Sequence, residues 1–156
     1  MTPAALDRIY RDHGHAVFRR ARRLLRDDHD AHDVVQDVFL SLYRDEQFDA
    51  RSSLATYLYG VTTHACLNRI RNGRNRSRLL AIETGAHTRV ASAAGENRAL
   101  ASEILAGLDD DDAALAVYLF CDELTHEEVA DLLGCSRRHV GDLATRLRRR
   151  IMERVA

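Results

Sequence analysis

The chain has 156 residues, 46% of them hydrophobic, a formal net charge of −1 and one proline, a balance that suits one or two small cores built from helices. No run approaches the roughly 18 apolar residues of a membrane span, and the N-terminus lacks the basic-then-apolar layout of a secretion signal, so no membrane insertion and a cytoplasmic location are expected. Cys66, Cys121 and Cys135 are odd in number, far apart and without a CxxC pair, which argues against a disulfide framework or a zinc knuckle.

Thr2 followed by Pro3 predicts a helix start, and Leu6, Ile9, Tyr10, Val17, Ala21, Leu24 and Leu25 carry a helical pattern to about Arg26. A second helix is predicted from about Asp30 to Arg44. Projected as a helix, Ala31, Val34, Val35, Val38, Phe39 and Leu42 form a broad apolar face, with Asp33, Gln36, Asp37 and Leu40 opposite. A leucine ringed by acceptors fits a docking patch, in which the apolar anchor supplies affinity and the charges supply orientation. A single exposed leucine is equally an ordinary surface residue, and the helix by itself does not decide.

After the loop DEQFDARS, Ser53 is placed to cap a third helix over 54–72, ending at Asn72-Gly73. Leu54, Leu58, Val61 and Ala65 predict its buried stripe; Tyr57, Gly60, His64, Asn68 and Arg71 run along an adjoining face. A ring, hydrogen-bonding groups and positive charge on one face suit single-stranded nucleic acid, and Phe48, Asp49, Arg51 and Ser52 just upstream can wall a base pocket. The competing reading puts Tyr57 and Phe48 in the core. Residues 73–96 have weak periodicity and many small or polar residues, and are read as a linker. Beyond it, a helix over 97–106 ends at Gly107, and Asp109 is placed to cap another over 110–121.

Residues 125–150 hold the densest set of signals. Thr125 and Glu128 form a capping box; Val129, Leu132 and Leu133 give the helix an apolar stripe; Gly134 stands where a left-handed turn would end it; Ser136 can cap the next helix. This is the layout of a helix-turn-helix. In the second helix Val140, Leu143, Ala144, Leu147 and Ile151 fall on one face, while Arg138, Asp142, Thr145 and Arg149 fall on the other. From 136 to 156 there are seven arginines (137, 138, 146, 148, 149, 150, 154) against Asp142 and Glu153, a local charge of +5 in a chain of net −1. That field suits phosphates, and Arg137, Arg138 and His139 at the N-terminal end are placed to reach base edges in a major groove. Elsewhere the charge is equally segregated: residues 27–37 carry five aspartates and no arginine, 69–78 five arginines and no acid, and 109–131 nine acids and no arginine. Partners of both signs are implied.

The order of these pieces resembles the extracytoplasmic-function sigma factors of the sigma-70 family over most of the chain. AHDVVQDVFLSLYR (31–44) is similar to the region 2 helix that docks on the clamp helices of the RNA polymerase beta-prime subunit. FDARSSLATYLYGVTTHACLNRIR (48–71) resembles the segment that melts and reads the minus-ten promoter element, and THEEVADLLGCSRRHVGDLATRLRRR the region 4 helix-turn-helix of the minus-thirty-five element. The resemblance implies an all-α fold of two small helical domains, region 2 over 1–72 and region 4 over 97–156, with 73–96 between them. It implies polymerase contacts at Asp33, Gln36, Asp37 and Leu40. Minus-ten contacts are implied at Phe48, Asp49, Arg51, Ser52, Tyr57, His64, Asn68 and Arg71. Minus-thirty-five contacts are implied at Ser136, Arg137, Arg138, His139, Asp142, Arg146 and Arg149. It also implies RNA polymerase core, promoter DNA and an inhibitory anti-sigma protein as partners. The chain departs from the family pattern at Thr63 and His64, at Asn68, at Gly141 and Asp142, and at Leu108-Asp109, so an unusual promoter preference is expected.

Two other classes compete. A helix-turn-helix regulator would use 1–72 to sense a ligand or partner and the C-terminal part to bind an operator. An enzyme or metal sensor is prompted by eight histidines, among them His13, His15, His29 and His32, but no further ligand, nucleophile with a base, or phosphate-cradling glycine loop accompanies them. No catalysis, cofactor, bound metal or small-molecule substrate is expected.

Overall fold

The structure is a computed structural model that describes residues 1–44, 48, 51–84 and 93–156. The fold is all-α: α1 (Pro3–Leu25), α2 (Asp28–Arg44), α3 (Leu54–Thr84), α4 (Ala93–Gly107), α5 (Asp110–Ala116), α6 (His126–Leu133) and α7 (Arg137–Val155), with a π-helical turn over Val117–Cys121 and no strand among the described residues. Two compact units are present, one of residues 1–66 with 131–134, the other of 67–130 with 135–156.

In the first unit, Thr2 Oγ1 accepts the Ala5 amide at 3.3 Å, and Pro3 opens α1. The helix stops at Arg26, whose left-handed backbone (φ 54°) lets its amide reach the Arg22 carbonyl at 2.8 Å. Asp27 Oδ1 then accepts the Asp30 amide at 2.8 Å, so α2 starts at Asp28, slightly ahead of the expected Asp30. Ala31, Val34, Val35, Val38, Phe39 and Leu42 are all buried, in one core with Val17 and Ala21 of α1 and Leu58 and Cys66 of α3. Small and β-branched side chains dominate, so the helices approach closely and lose little side-chain entropy on packing.

The buried face of α3 is rotated from the expected one. Leu58 is buried as predicted, but Val61 and Ala65 are half-buried, and Thr62, Thr63 and Cys66 are buried instead. Each threonine satisfies its own hydroxyl, Thr62 on the Leu58 carbonyl at 2.6 Å and Thr63 on the Tyr59 carbonyl at 2.8 Å, which removes the cost of burying a polar group. Thr63 Oγ1 also accepts from Arg20 Nε at 3.0 Å and Nη2 at 2.8 Å, and the Arg20 guanidinium lies 3.6 Å from the Tyr59 ring centroid. Arg20 is only 8% exposed; two hydroxyl bonds and a cation–π contact offset part of its desolvation.

Downstream, α3 does not end at Asn72-Gly73 but runs on to Thr84, through part of the expected linker. Helical hydrogen bonding evidently outweighs the backbone entropy of one glycine, about 1 kcal/mol relative to alanine.

In the second unit, Asp109 Oδ1 accepts the Asp112 amide at 2.9 Å and caps α5. Leu108, Ala113, Ala114, Leu115, Ala116, Val117 and Tyr118 are buried, and α5 packs against α4 and α7. The capping box forms as predicted: the Thr125 amide donates to Glu128 Oε2 at 2.8 Å, and the Glu128 amide donates to Thr125 Oγ1 at 3.2 Å. Gly134 adopts φ 64° between α6 and α7. Val129 is buried and Leu132 half-buried, but Leu133 is 44% exposed and so drops out of the expected α6 stripe; Ala130 is buried beside Val129.

Because the Cβ of an alanine at 73 would meet nothing within 4 Å, Gly73→Ala is predicted to stabilise the chain by about 0.5–1 kcal/mol, read as a higher urea midpoint; a lower midpoint contradicts a helix through this position. The Thr125 amide, then its hydroxyl, holds the Glu128 carboxylate below its ordinary pKa. A depressed folded-state pKa gives a contribution that is full above the unfolded value and fades as pH falls through the folded one. Glu128→Gln, whose amide oxygen still accepts, is therefore predicted to flatten the acid-side fall of stability in thermal melts from neutral pH to pH ~3; an unchanged profile contradicts the assignment.

Candidate functional site

The buried stripe of α2 leaves a second face to solvent. Gln36 and Asp37 are exposed, Leu40 is 40% exposed, and Asp33 is half-buried with His29 Nδ1 3.5 Å from its carboxylate. Tyr43, three positions beyond Leu40, is 41% exposed and adds a ring to this face. It escaped the sequence reading, although its spacing from Leu40 and Gln36 marks it as a neighbour on the same side.

On α3 and its approach, Phe48 and Tyr57 meet edge to face with ring centroids 5.3 Å apart, and both pack partly against the core. Each ring thus has one side against the core and the remainder accessible. Ser53 Oγ accepts the Thr56 amide at 3.1 Å and starts the helix as expected. Arg51 is exposed, Ser52 and His64 are half-buried, and Asn68 is exposed; Asp49 lies outside the described residues. Arg71 is engaged within the second unit: Nη1 lies 2.6 Å from Asp110 Oδ1, and Nη2 donates to the Leu108 carbonyl at 3.1 Å.

The outer face of α7 is built by its first turn and its packed side. Ser136 Oγ accepts the His139 amide at 3.1 Å, so Arg137, Arg138 and His139 occupy the first turn, where the helix dipole favours an anion. Val140, Ala144 and Leu147 are buried and Leu143 and Ile151 half-buried, while Ser136, Arg137, Arg138, His139, Asp142, Arg146 and Arg149 are all exposed. Gly141 sits with its would-be Cβ 3.9 Å from His126 Nδ1, and its carbonyl accepts the Thr145 hydroxyl at 3.0 Å.

Arg150 differs from its neighbours in that its guanidinium is held by Asp112 and, at 3.2 Å, by Asp109. The hydrogen bond and charge of Asp112, then those of Asp109, raise its pKa further above the ordinary value. The acidic run thus divides its work: Asp109 caps α5 and helps hold Arg150, Asp110 pairs with Arg71, and Asp112 binds Arg150. Capping was legible in the sequence; the two arginine partners were not, because they lie 38–41 positions away. Arg20 was also missed, although an arginine in register with Val17, Ala21 and Leu24 on an apolar stripe is a signal for a buried cation.

As to metals, Asp27, His29 and Asp30 hold ligand-type atoms within 4.8 Å of one another at the start of α2, where Asp27 is already engaged as a cap. His32 instead stacks on Phe18, with ring centroids 4.5 Å apart. Among the described residues no helix is long and apolar enough to cross a membrane.

Residues 9–76 match the family model for sigma-70 region 2. Over 76 residues the chain is 33% identical to the ECF RNA polymerase sigma factor SigE of Mycolicibacterium smegmatis, covering 49% of this chain and 29% of that protein. Over 71 residues it is 32% identical to the ECF RNA polymerase sigma factor SigM of Mycobacterium tuberculosis, covering 45% of this chain and 36% of that protein. The matched segment therefore spans about a third of these curated relatives. Among solved structures, CnrH in complex with the cytosolic domain of CnrY aligns with a TM-score of 0.50 at 21% identity over 99% of this chain and 89% of that one, a likeness of fold. The N-terminal helices thus carry the likeness to sigma-70 region 2, and the sequence relatives over that segment are ECF sigma factors.

Proposed function

We propose that this chain is a transcription initiation factor that directs RNA polymerase core enzyme to specific promoters in the cytoplasm and catalyses no reaction itself. In this reading residues 1–72 act as region 2, 73–96 connect, and 97–156 act as region 4. The observation that carries it is the exposed set Gln36, Asp37 and Leu40, with Asp33 beside them, inside a segment that matches sigma-70 region 2. An apolar anchor with acidic neighbours fits a basic protein surface, here the beta-prime clamp helices.

The minus-ten element would be read by Phe48, Asp49, Arg51, Ser52, Tyr57, His64, Asn68 and Arg71. Tyr57 and Phe48 offer ring surface for stacking, while His64 and Asn68 offer hydrogen bonds in place of the family's usual residues. Arg71 reaches a strand only by leaving Asp110, which makes that contact one of exchange between a carboxylate and a phosphate. The minus-thirty-five element would be bound by Ser136, Arg137, Arg138, His139, Asp142, Arg146 and Arg149. Asp142 among arginines repels phosphate but accepts from a cytosine amino group, a source of discrimination rather than affinity. An inhibitory anti-sigma protein is a further partner that the family reading brings with it.

Two measurements test the halves separately. Asp37→Arg is predicted to weaken core polymerase binding about tenfold or more while leaving duplex binding by the chain intact; unchanged core binding when Asp33, Gln36, Asp37 and Leu40 are all replaced by alanine sinks the docking assignment. Arg138→Ala is predicted to cost about 1–3 kcal/mol in binding to the upstream element. Wild-type affinity should fall with salt at a log–log slope of about 0.9 per phosphate neutralised. An unaltered affinity in the Arg138 variant removes α7 from the interface.

A further inference from the structure

Arg20 is the only charged side chain buried among the described residues, and it lies in the first unit where α1 meets α3. Its Nε and Nη2 donate to Thr63 Oγ1 at 3.0 and 2.8 Å, while that hydroxyl gives its own proton to the Tyr59 carbonyl at 2.8 Å. The donor and both acceptor sites of the hydroxyl are thus used. The guanidinium carbon lies 3.6 Å from the Tyr59 ring centroid, so Arg20 is held through two positions of α3. Desolvating a cation is costly, and an apolar side chain of similar volume in such a place is often as stable or more so. Stability alone does not account for an arginine here.

What these contacts fix is the roll of α3 about its own axis. The apolar residues Leu54, Leu58, Val61 and Ala65 define one inward face, yet within the first unit Leu58, Thr62, Thr63 and Cys66 are the buried ones. At about 100° per residue the two arcs differ by roughly 100°, a slip of about one position. Apolar packing is non-directional and tolerates such a slip, whereas two hydrogen bonds to one hydroxyl are directional and do not. In the observed roll Tyr57 and His64, both partly accessible, fall roughly opposite the buried arc; with the apolar stripe inward they would lie roughly 70–90° from its centre, on the flank. We propose that Arg20 is a positioning residue for minus-ten recognition, locking α3 through Thr63 and Tyr59 in the roll that turns Tyr57 and His64 toward a DNA strand. The proposal rests on the strand-reading role given above to that face, and adds to it a buried residue that itself makes no DNA contact.

The test uses the full chain bound to core polymerase and a fluorescent oligonucleotide carrying the minus-ten strand of a promoter recovered by run-off transcription. Arg20→Met and Thr63→Val, which keep volume but not the hydrogen bonds, are expected to weaken strand binding about tenfold or more at unchanged helical content, and the double variant no further than either alone. Thr63→Ser keeps the hydroxyl and is expected to bind as the wild type does. A role in stability alone would leave strand affinity untouched in variants that remain folded. Cys66, at 0% exposure, reports the roll separately. In the folded Arg20→Met chain its alkylation by iodoacetamide, resolved from that of Cys121 and Cys135 by peptide mass, is expected to rise about tenfold. Wild-type strand affinity in Arg20→Met, or equal affinity in Thr63→Val and Thr63→Ser, overturns the lock and leaves the minus-ten reading standing. Should Arg20→Met fail to fold, the comparison of the two Thr63 variants decides. Absence of strand binding by the wild-type complex overturns the minus-ten reading and this proposal with it.

Discussion

Burial of one face of α2 is the constraint from which the first unit follows. Ala31, Val34, Val35, Val38, Phe39 and Leu42 enter a core with Val17, Ala21, Leu58 and Cys66, and no rotation of a helix so completely filled on one side leaves those residues covered. Asp33, Gln36, Asp37 and Leu40 are consequently fixed toward the outside, in a rigid spacing that a partner surface can match. Core packing here is also what presents the proposed docking face, so substitutions at Val34 or Val38 would damage both at once, whereas in that proposal those at Gln36 or Asp37 would separate binding from folding.

Arginine is the sole basic residue besides histidine in this chain, and the fold sorts it into three physical settings. Arg20 is drawn into the interior, where its planar face and fork find a ring and a hydroxyl. Arg71 and Arg150 are held by the aspartates at the start of α5, which act there much as phosphates would. The arginines on the outer face of α7 remain toward solvent and supply the local positive field that a net charge of −1 conceals. Surface pairs such as Arg150 with Asp109 add little stability individually; their larger consequence is to decide which arginines are available to an anionic partner.

Much of this was legible in the residues because the signals were local. The Thr2-Pro3 start, the Ser53, Asp109 and Ser136 caps, the Thr125–Glu128 box and the left-handed Gly134 each depend on a few neighbouring positions, and each forms as read. Periodicity likewise placed the inner faces of α2 and α7. What escaped was tertiary. Thr62 and Thr63 became core residues by bonding back onto their own helix, and Leu133 was left outside although it follows the apolar stripe of α6. The helix through Gly73 was hidden by a glycine and a polar run that imply a break when weighed one residue at a time. Arg20 and the partners of the aspartate run required knowing which distant segments meet.

The central claim is that this chain confers promoter choice on polymerase core enzyme. Run-off transcription with purified core polymerase on a promoter library, with and without the chain, tests it most directly. The account predicts discrete start sites that appear only when the chain is present and that share sequence upstream at two spaced elements. Binding of the chain to DNA with no chain-dependent start sites, and no stable association with core, would contradict it and leave a helix-turn-helix regulator in its place.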